Sequence, residues 1–340
     1  MTEVTDTAWI IFIISIASLL ILDLGVFNRK AHVIKPREAL VQVAFFIGAA
    51  IVFNVGIYLS LGSQAGLEFT TGYLMELMLS VDNLFVIILI FGSFCVPAKD
   101  QHKVLFWGIL GALGFRLAFI LVGVTLVESF EWVLYVFGAF LIFTGLRMAI
   151  KKEKEKVEPE HNVMVRFFRK FLPVTKTYEG DKFFVRRPNG KGKVIMWATP
   201  MFIALLVVET TDIVFAVDSI PAILGITTST FIVFSSNAFA ILGLRSLYFA
   251  LSHVMNLFCY LKYGLAAILT FVGVKMLVAH YVPLPVLASL AIIVLILGIS
   301  MIASVIVTRR TGVCPVVAEV QAESCPALKS IQESEGTEEK

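Results

Sequence analysis

The sequence predicts an all-α polytopic membrane protein, and two observations lead to that prediction. Of the 340 residues, 58% are hydrophobic and 16% are charged, whereas soluble proteins keep about a quarter of their residues charged. The apolar residues also fall into runs of about 20, the length that a helix needs to cross a hydrocarbon core of about 30 Å. A soluble protein with buried helices would need polar helix faces, which these runs lack.

About nine membrane-spanning helices can be read from these runs. The least regular region is 219–231, where Pro221 and Gly225 interrupt the apolar pattern. The first run has no basic stretch before it and is too long for a signal core, so we interpret it as a retained membrane anchor. The predicted spans are 8–27, 39–61, 71–93, 102–126, 131–150, 197–219, 228–250, 256–280 and 284–307.

The distribution of Lys and Arg predicts the orientation of the spans. Arg29, Lys30, Lys35 and Arg37 follow the first span, and the loop 151–196 carries thirteen Lys or Arg against six Asp or Glu. The connections after the second and fourth spans carry acids and no base. Because basic loops stay in the cytosol, we expect the N-terminus outside and the C-terminus inside, in the plasma membrane. The net charge of +3 suggests no nucleic-acid partner.

The third and sixth spans resemble each other in sequence. Residues 76–83 (Glu-Leu-Met-Leu-Ser-Val-Asp-Asn) align with residues 212–219 (Asp-Ile-Val-Phe-Ala-Val-Asp-Ser). Each copy therefore has two acids separated by five residues, followed by a small polar residue. By the orientation above, the two spans run in opposite directions. Two further matches follow at nearly constant separation along the chain: 114–116 with 243–245, and 145–148 with 273–276.

These matches predict an inverted repeat in which spans 3–5 and 6–8 are the two copies. Secondary transporters use this architecture and bind substrate near the midplane, where the repeats meet. Within the loop, residues 182–197 are predicted to form a β-hairpin. The predicted parts are an N-terminal helix pair (1–70), a first repeat (71–150), a cytoplasmic loop (151–196), a second repeat (197–280), a last helix (281–310) and a disordered tail (311–340).

Five carboxylates lie within or at the edge of apolar spans: Glu76, Asp82, Glu209, Asp212 and Asp218. A charge at the bilayer centre costs at least about 2.5–3.5 kcal/mol on insertion scales, so a functional role is the first expectation. The alternative is that some of these acids are protonated or paired with basic residues of the spans. The candidate partners are Arg116, Arg245, Arg147 and Lys275.

The chemistry of this acidic set favours a hard divalent cation. Its carboxylates lie beside Asn83, Ser80, Ser219, Thr210 and Thr211. Such all-oxygen sets suit Mg²⁺, Ca²⁺ or Mn²⁺ rather than copper or zinc. Several carboxylates in one low-dielectric site cannot all stay ionised without a cation, so proton release on metal entry is physically reasonable. The five histidines and four cysteines are scattered and show no metal-ligand spacing.

Helix geometry raises one difficulty for such a site. Asp82 and Asp218 follow their partner acids by six residues, so on an ideal helix they would point roughly 120° away from them. The acids of each copy could converge on one ion if the helices unwind there. Pro221 supports unwinding in the second copy, because it cannot donate to the carbonyl of Val217. The first copy has no equivalent proline.

Three other polar residues of the spans have expected roles. Asp23, near the cytosolic end of the first span, is either a site carboxylate or a partner for Arg29 or Lys30. Asn54 and Asn237 are interpreted as residues that hydrogen-bond between packed helices.

At the acidic helices the sequence resembles the TerC family of integral membrane proteins, in particular its Alx-type manganese exporters. The resemblance covers residues 8–307, and it implies inverted three-helix repeats, export of Mn²⁺ or a link to tellurite resistance, and an intramembrane metal site. Thr210-Thr211 departs from related sequences but leaves the acids in place. The motifs that carry the resemblance are ELMLSVDN (76–83), ETTDIVFAVDSIP (209–221), SNAFAILGLRSLYF (236–249), KYGLAAILTFVGVKM (262–276) and FFVRR (183–187). Carried over, the metal site would comprise Glu76, Asp82, Asn83, Glu209, Asp212 and Asp218.

Two functions are therefore expected. The first is a secondary transporter that exports a divalent metal, Mn²⁺ by resemblance, with no cofactor and with proton exchange as an option. The second is a tellurite-resistance-associated membrane scaffold or assembly partner, whose acids pair with basic residues inside a complex. An enzyme is not expected, because the sequence has no HExxH motif and no Gly-x-Gly-Asp before either aspartate. The expected partners are a divalent metal ion and the lipid bilayer, and the oligomeric state is left open.

Overall fold

The computed structural model of the chain describes residues 6–23, 36–130, 132–150, 168, 173–175, 178–188, 194–252, 261–279 and 284–311. Within these residues it contains ten α-helices and one two-stranded sheet, so the predicted all-α membrane class is confirmed. The helices are α1 (Asp6–Leu22), α2 (Pro36–Leu61), α3 (Ser63–Phe94), α4 (Gln101–Ser129), α5 (Trp132–Ile150), α6 (Pro200–Leu224), α7 (Thr230–Leu242), α8 (Leu244–Ser252), α9 (Leu261–Val278) and α10 (Val286–Thr311). The strands are β1 (Phe184–Pro188) and β2 (Val194–Ala198).

Six of the described helices, α2 to α6 and α10, are long and apolar enough to cross a membrane. The helices α7 and α8 form a seventh candidate span, bent by 40° at the break around Gly243. The helices α1 and α9 are apolar but shorter, and they lie where two further spans are expected. The protein is therefore a multi-pass membrane protein, while the count of nine spans and the division into parts stay predictions.

The ends of the acidic helices follow from local sequence. Helix α3 begins after Gly62, whose φ of 93° is a conformation that glycine adopts without a steric penalty. It ends at Cys95, which has a left-handed φ of 51°, and the N–H of Val96 donates to the carbonyl of Phe91 at 3.0 Å. Helix α6 begins at Pro200, where the missing N–H of proline leaves no hydrogen bond unmade.

The two acidic helices are the most enclosed of the six long helices. In the most apolar stretch of α3, 62% of the residues are buried, and in α6 44%, against 33% or less in the other four. Helix α4 packs along α6, α7 packs along α3, and α5 packs along α9. In the two predicted repeats, α3 corresponds to α6 and α4 corresponds to α7. The contact between α4 and α6 therefore corresponds to the contact between α7 and α3, as an inverted repeat requires. The repeat itself stays a prediction.

Glycines allow α5 and α9 to approach closely. A Cβ atom added at Gly273 would lie 2.6 Å from the carbonyl oxygen of Gly138, and one added at Gly145 would lie 2.8 Å from the carbonyl oxygen of Ala266. Side chains larger than hydrogen would therefore push the two helices apart. Small residues serve the same purpose at other helix contacts in membranes, where the hydrophobic effect does not drive association.

Aromatic and polar contacts attach the N-terminal helices. The ring of Phe53 on α2 lies 4.6 Å from that of Phe239 on α7, measured between centroids. On α1, Phe12 meets the edge of Phe231 at 6.0 Å. The Asn54 amide donates to Thr70 Oγ1 at 2.7 Å and so links α2 to α3, as expected for a helix-packing residue. These contacts hold α1 against α7, and α2 against α3 and α7.

The β-hairpin predicted within 182–197 is present. Strands β1 and β2 pair antiparallel, from Phe184 opposite Ala198 to Pro188 opposite Val194. Its turn lies outside the described residues, as do most of the loop 151–196 and the predicted disordered tail beyond residue 311.

Polar contacts hold the hairpin region against the ends of α3 and α4. The Tyr178 hydroxyl donates to the carbonyl of Phe94 at 2.7 Å. Lys103 Nζ donates to the carbonyl of Asp181 at 2.6 Å and to its carboxylate at 2.9 Å. The hydrogen bond from Lys103 lowers the pKa of Asp181 below its ordinary value. These contacts hold Tyr178 and Asp181 against the ends of α3 and α4.

The expected unwinding beside the acids is wrong. Helix α3 is continuous through 76–83, and α6 is continuous through 212–219 with Pro221 inside it. A single proline removes one backbone hydrogen bond, that to the carbonyl of Val217. Because α6 is packed between other helices, the remaining hydrogen bonds and contacts keep it helical.

Candidate cation site between the acidic helices

The guanidinium of Arg116 on α4 joins the two acidic helices. Its Nη1 donates to Glu76 Oε1 on α3, its Nη2 to Asp212 Oδ1 on α6 at 3.1 Å, and its Nε to Asp212 Oδ2 at 3.3 Å. The side chains of Arg116 and Glu76 are 0% and 2% exposed, whereas that of Asp212 is 14% exposed. The pairing is therefore almost entirely buried. Charge-assisted, two-pronged contacts of this kind are the strongest hydrogen bonds in proteins.

Asn237 and Ser219 complete the contacts of this pair. Asn237 on α7 is fully buried and donates through Nδ2 to Glu76 Oε2 at 2.9 Å. Its Oδ1 atom is buried and has no hydrogen-bond partner. Arg116 Nη1 also lies 3.4 Å from the hydroxyl of Ser219, on α6. Side chains from α3, α4, α6 and α7 thus meet at one point.

Glu209 lies one helical turn from Asp212, against the backbone of α4. A Cβ atom added at Gly111 of α4 would overlap the Glu209 carboxylate, so the glycine gives this carboxylate its space. The Oε2 atom of Glu209 is buried and has no hydrogen-bond partner. An unpaired buried carboxylate oxygen is costly in a protein interior, so this atom is available to a cation.

The remaining predicted ligands differ in what they offer. Asn83 and Ser80 on α3 are buried, and Asn83 Nδ2 and Ser80 Oγ have no hydrogen-bond partner. The hydroxyls of Thr210 and Thr211 donate to carbonyls of the preceding turn of α6, each at 2.7 Å. These two threonines therefore direct hydrogen bonds to their own helix, which is common for hydroxyls in membrane helices.

Asp82 and Asp218 are placed by their backbones in α3 and α6, but their side chains lie outside the described part of the structure. Among the side chains that are described, no group of three or more His, Cys, Asp or Glu is arranged to hold a metal ion. In the described conformation Glu76 and Asp212 are brought together by Arg116 rather than around a cation-sized space.

Sequence reasoning did not assign Arg116 or Asn237 to the metal site. It named Arg116 as a candidate partner for the acids and Asn237 as a residue that hydrogen-bonds between helices, and both expectations are confirmed. The structure places both on Glu76. The signal that could have identified Arg116 is its place in a matched triplet, Gly-Phe-Arg at 114–116 and Gly-Leu-Arg at 243–245.

A second buried ion pair lies away from these acids. Asp23, expected either in the site or beside Arg29 or Lys30, pairs with Arg245 of α8, and Arg29 and Lys30 lie outside the described residues. Arg245 Nη2 also donates to the carbonyl of Asp23 at 3.1 Å. Two other Arg245 atoms, Nε and Nη1, are buried without a hydrogen-bond partner. This pair joins the end of α1 to α8.

Comparison with known proteins identifies the family. The model of the integral membrane protein TerC family matches residues 61–312. The chain is 48% identical over 302 residues to the uncharacterized membrane protein STKORF319 of Myxococcus xanthus, covering 89% of this chain and 93% of that protein. It is 42% identical over 315 residues to the "Putative membrane-bound redox modulator Alx" of Salmonella typhi, covering 90% of this chain and 96% of the relative. No solved structure matches the chain. This chain belongs to the TerC family of integral membrane proteins.

Proposed function

We propose that this membrane protein is a secondary transporter that exports a divalent metal ion, with Mn²⁺ as the first expected substrate. The observation that carries the proposal is the meeting of Glu76 and Asp212, from the two acidic helices, at one buried point. Ionisable groups within a membrane span are expensive and mark ion pathways. Oxygen donors of this kind suit Mn²⁺, Mg²⁺ or Ca²⁺.

Two neighbouring features support a cation at this point. The Oδ1 atom of Asn237 and the Oε2 atom of Glu209 are buried acceptors without a hydrogen-bond partner. The side chain of Asp212 beside them is 14% exposed, whereas those of Arg116 and Glu76 are almost fully buried. The proposed ligands are those expected from the sequence, Glu76, Asp82, Asn83, Glu209, Asp212 and Asp218, with Asn237 added.

Metal content of Mn²⁺-loaded cells tests the proposal. Cells that make the protein should hold less Mn²⁺ than cells that lack it. Glu76→Gln should abolish this difference, because the substitution removes a buried negative charge that the cation needs. The matched control is Glu68→Gln on the same helix, where the partly exposed carboxylate accepts a hydrogen bond from Gln64 at 2.8 Å.

The same assay covers the two acids whose side chains are not described. Asp82→Asn and Asp218→Asn, checked for membrane insertion, should behave like Glu76→Gln. If these variants lower cellular Mn²⁺ as well as the intact protein does, the acidic-site mechanism is wrong. If the intact protein has no effect on cellular Mn²⁺, Mg²⁺ or Ca²⁺, export itself is wrong.

The second candidate is a membrane scaffold or assembly partner linked to tellurite resistance. The pairing of Arg116 with Glu76 and Asp212 favours it, because acids that are neutralised by a basic residue need no metal. A scaffold predicts that Glu76→Gln alters the stability of a complex and leaves cellular metal unchanged.

The names of the Alx relatives suggest a redox role for those proteins. In this chain Cys95 lies directly after α3. A redox function would require that Cys95→Ser changes the phenotype while the carboxylate variants do not. Export predicts the reverse.

A further inference from the structure

Arg116 occupies the carboxylates that a metal ion would need. Both oxygens of Asp212 accept hydrogen bonds from Arg116. One oxygen of Glu76 accepts from Arg116 and the other from Asn237. A divalent cation therefore cannot bind Glu76 and Asp212 together while the guanidinium lies between them. The described conformation is one in which a cation of the protein itself fills the site.

We propose that Arg116 is a tethered substitute for the metal ion: it lies between Glu76 and Asp212 when the site is empty and withdraws when the ion binds. This inference rests on the proposed export function. The exchange keeps positive charge beside the two carboxylates throughout the cycle. Arg suits this role because its planar, permanently charged group matches carboxylates in a two-pronged arrangement.

The structure also offers a place for the withdrawn guanidinium. Glu209 precedes Asp212 by three residues on α6, so its carboxylate neighbours that of Asp212, which Arg116 already contacts. The Glu209 carboxylate lies against Gly111 and has an oxygen without a partner. In the loaded state Glu209 therefore holds Arg116 instead of serving as a metal ligand, while Mn²⁺ takes Glu76 and Asp212.

A tethered cation makes a specific kinetic prediction. Net export requires the empty carrier to return, whereas exchange of Mn²⁺ for Mn²⁺ requires movement of the loaded carrier alone. Without Arg116, the empty carrier would move with uncompensated carboxylates in the membrane, which is strongly unfavourable. Loss of Arg116 should therefore impair net export and spare exchange.

The test uses the full chain reconstituted in liposomes, with radioactive Mn²⁺ as the probe. For Arg116→Gln, net efflux should fall by about tenfold or more, because charge burial at the bilayer centre costs more than the free energy of a tenfold change. Exchange, with Mn²⁺ on both sides, should stay within about twofold of the unmodified protein. The matched control is Arg245→Gln, which also breaks a buried ion pair and should leave the ratio of exchange to net efflux unchanged.

Each outcome decides the proposal. Equal loss of exchange and net efflux in Arg116→Gln, with folded protein, or unchanged net efflux, overturns it. If Arg116→Gln does not fold, Arg116→Lys replaces it: a higher ratio of exchange to net efflux supports the proposal, and an unchanged ratio overturns it. If the unmodified protein shows neither exchange nor net efflux, the export function fails and the tethered-cation role fails with it. If only the ratio of exchange to net efflux fails to change as expected, the tethered-cation role is overturned and the export function stands.

Discussion

Arg116 and Arg245 occupy matching positions in the two predicted repeats, yet they make different contacts. Both side chains are buried, at 0% and 1% exposed. Arg116 uses all three nitrogens and bonds to carboxylates of two different helices. Arg245 uses Nη2 for the side chain and carbonyl of Asp23, while its Nε and Nη1 have no hydrogen-bond partner.

The difference shows what each ion pair contributes. The Arg116 pair connects the two acidic helices, so it bears on the site that we propose for the cation. The Arg245 pair connects α8 to α1, which lies outside the predicted repeats, so it bears on the assembly of the helices. A matched sequence position therefore does not imply a matched role, because the partner comes from elsewhere in the fold.

The largest expected effect is on the free energy of unfolding, and its size should differ between the two arginines. Arg116→Gln leaves Glu76 and Asp212 without their cation and should lower the free energy of unfolding by about 3–5 kcal/mol. Arg245→Gln should cost less, because it also removes two donors that are already unpaired. Added Mn²⁺ should restore much of the thermal midpoint of Arg116→Gln in detergent, since a ligand that binds the native state stabilises it.

The control for this stabilisation is Arg245→Gln, which keeps Arg116 in the site. Its midpoint should rise with Mn²⁺ no more than that of the unmodified protein. If Mn²⁺ stabilises the two variants equally, the two arginines are equivalent and the comparison is wrong.

A smaller effect is expected from moving one carboxylate without changing its charge. Gly111→Ala places a methyl group where the Glu209 carboxylate lies, so this flexible side chain must shift. Because displacements of about 1 Å in a binding constellation have large kinetic costs, we expect Mn²⁺ efflux to fall by about tenfold. Gly114→Ala on the same helix is the matched control, because a Cβ there meets no atom within 4 Å.

Equal efflux in the two glycine variants would mean that Glu209 takes no part in transport. The site would then be limited to the acids that Arg116 contacts. A loss in Gly114→Ala as large as that in Gly111→Ala would instead point to a general effect on α4.

The smallest effect is expected from an exposed ion pair, whose contribution to stability can be compared with that of the two buried pairs. Lys103→Gln removes the contact with Asp181, whose carboxylate is 66% exposed, so the thermal midpoint should fall by about 2 °C or less at pH 7. The pKa of Asp181 is lowered in the folded protein. The ion pair therefore contributes its full stabilisation to the folded protein at pH values above the ordinary Asp pKa. This stabilisation is lost as the pH falls through the lowered pKa of Asp181.

The pH dependence checks this assignment. The difference between Lys103→Gln and the unmodified protein should vanish in acid, once the pH lies below the lowered pKa of Asp181. Lys99→Gln removes a charge from the same end of α4 and should not show this pH-dependent difference. A constant difference at all pH values would exclude the Asp181 carboxylate as its cause.

The spans and the hairpin could be predicted from sequence because their signals are local. A run of about 20 apolar residues is stable in a bilayer as a helix, because a helix pairs the backbone N–H and C=O groups of the run with one another. The 182–197 hairpin likewise followed from two short strands around a turn. The bend at Gly243 was not foreseen, since the apolar pattern continues across it.

The site was predicted in part. The contacts that were not predicted are those between residues of different helices. The acids stand out because charge is rare in apolar spans, and the structure brings two of them, Glu76 and Asp212, together. The residues that face Glu76 from other helices, Arg116 and Asn237, depend on how helices cross, which a one-dimensional pattern does not contain. The unwinding at Pro221 failed for a related reason: a local signal was opposed by packing.

The unbroken course of α3 and α6 has a consequence for selectivity. Filters that strip an ion of its water often use backbone carbonyls held in a rigid ring. Here the carbonyls beside the acids are committed to helical hydrogen bonds, apart from that of Val217, which lacks a donor because Pro221 follows four residues later. In the export function that we propose, discrimination would therefore come from the side chains, which can close around ions of different radius. The ease with which each ion gives up its water, least for Mg²⁺, would set the order of preference.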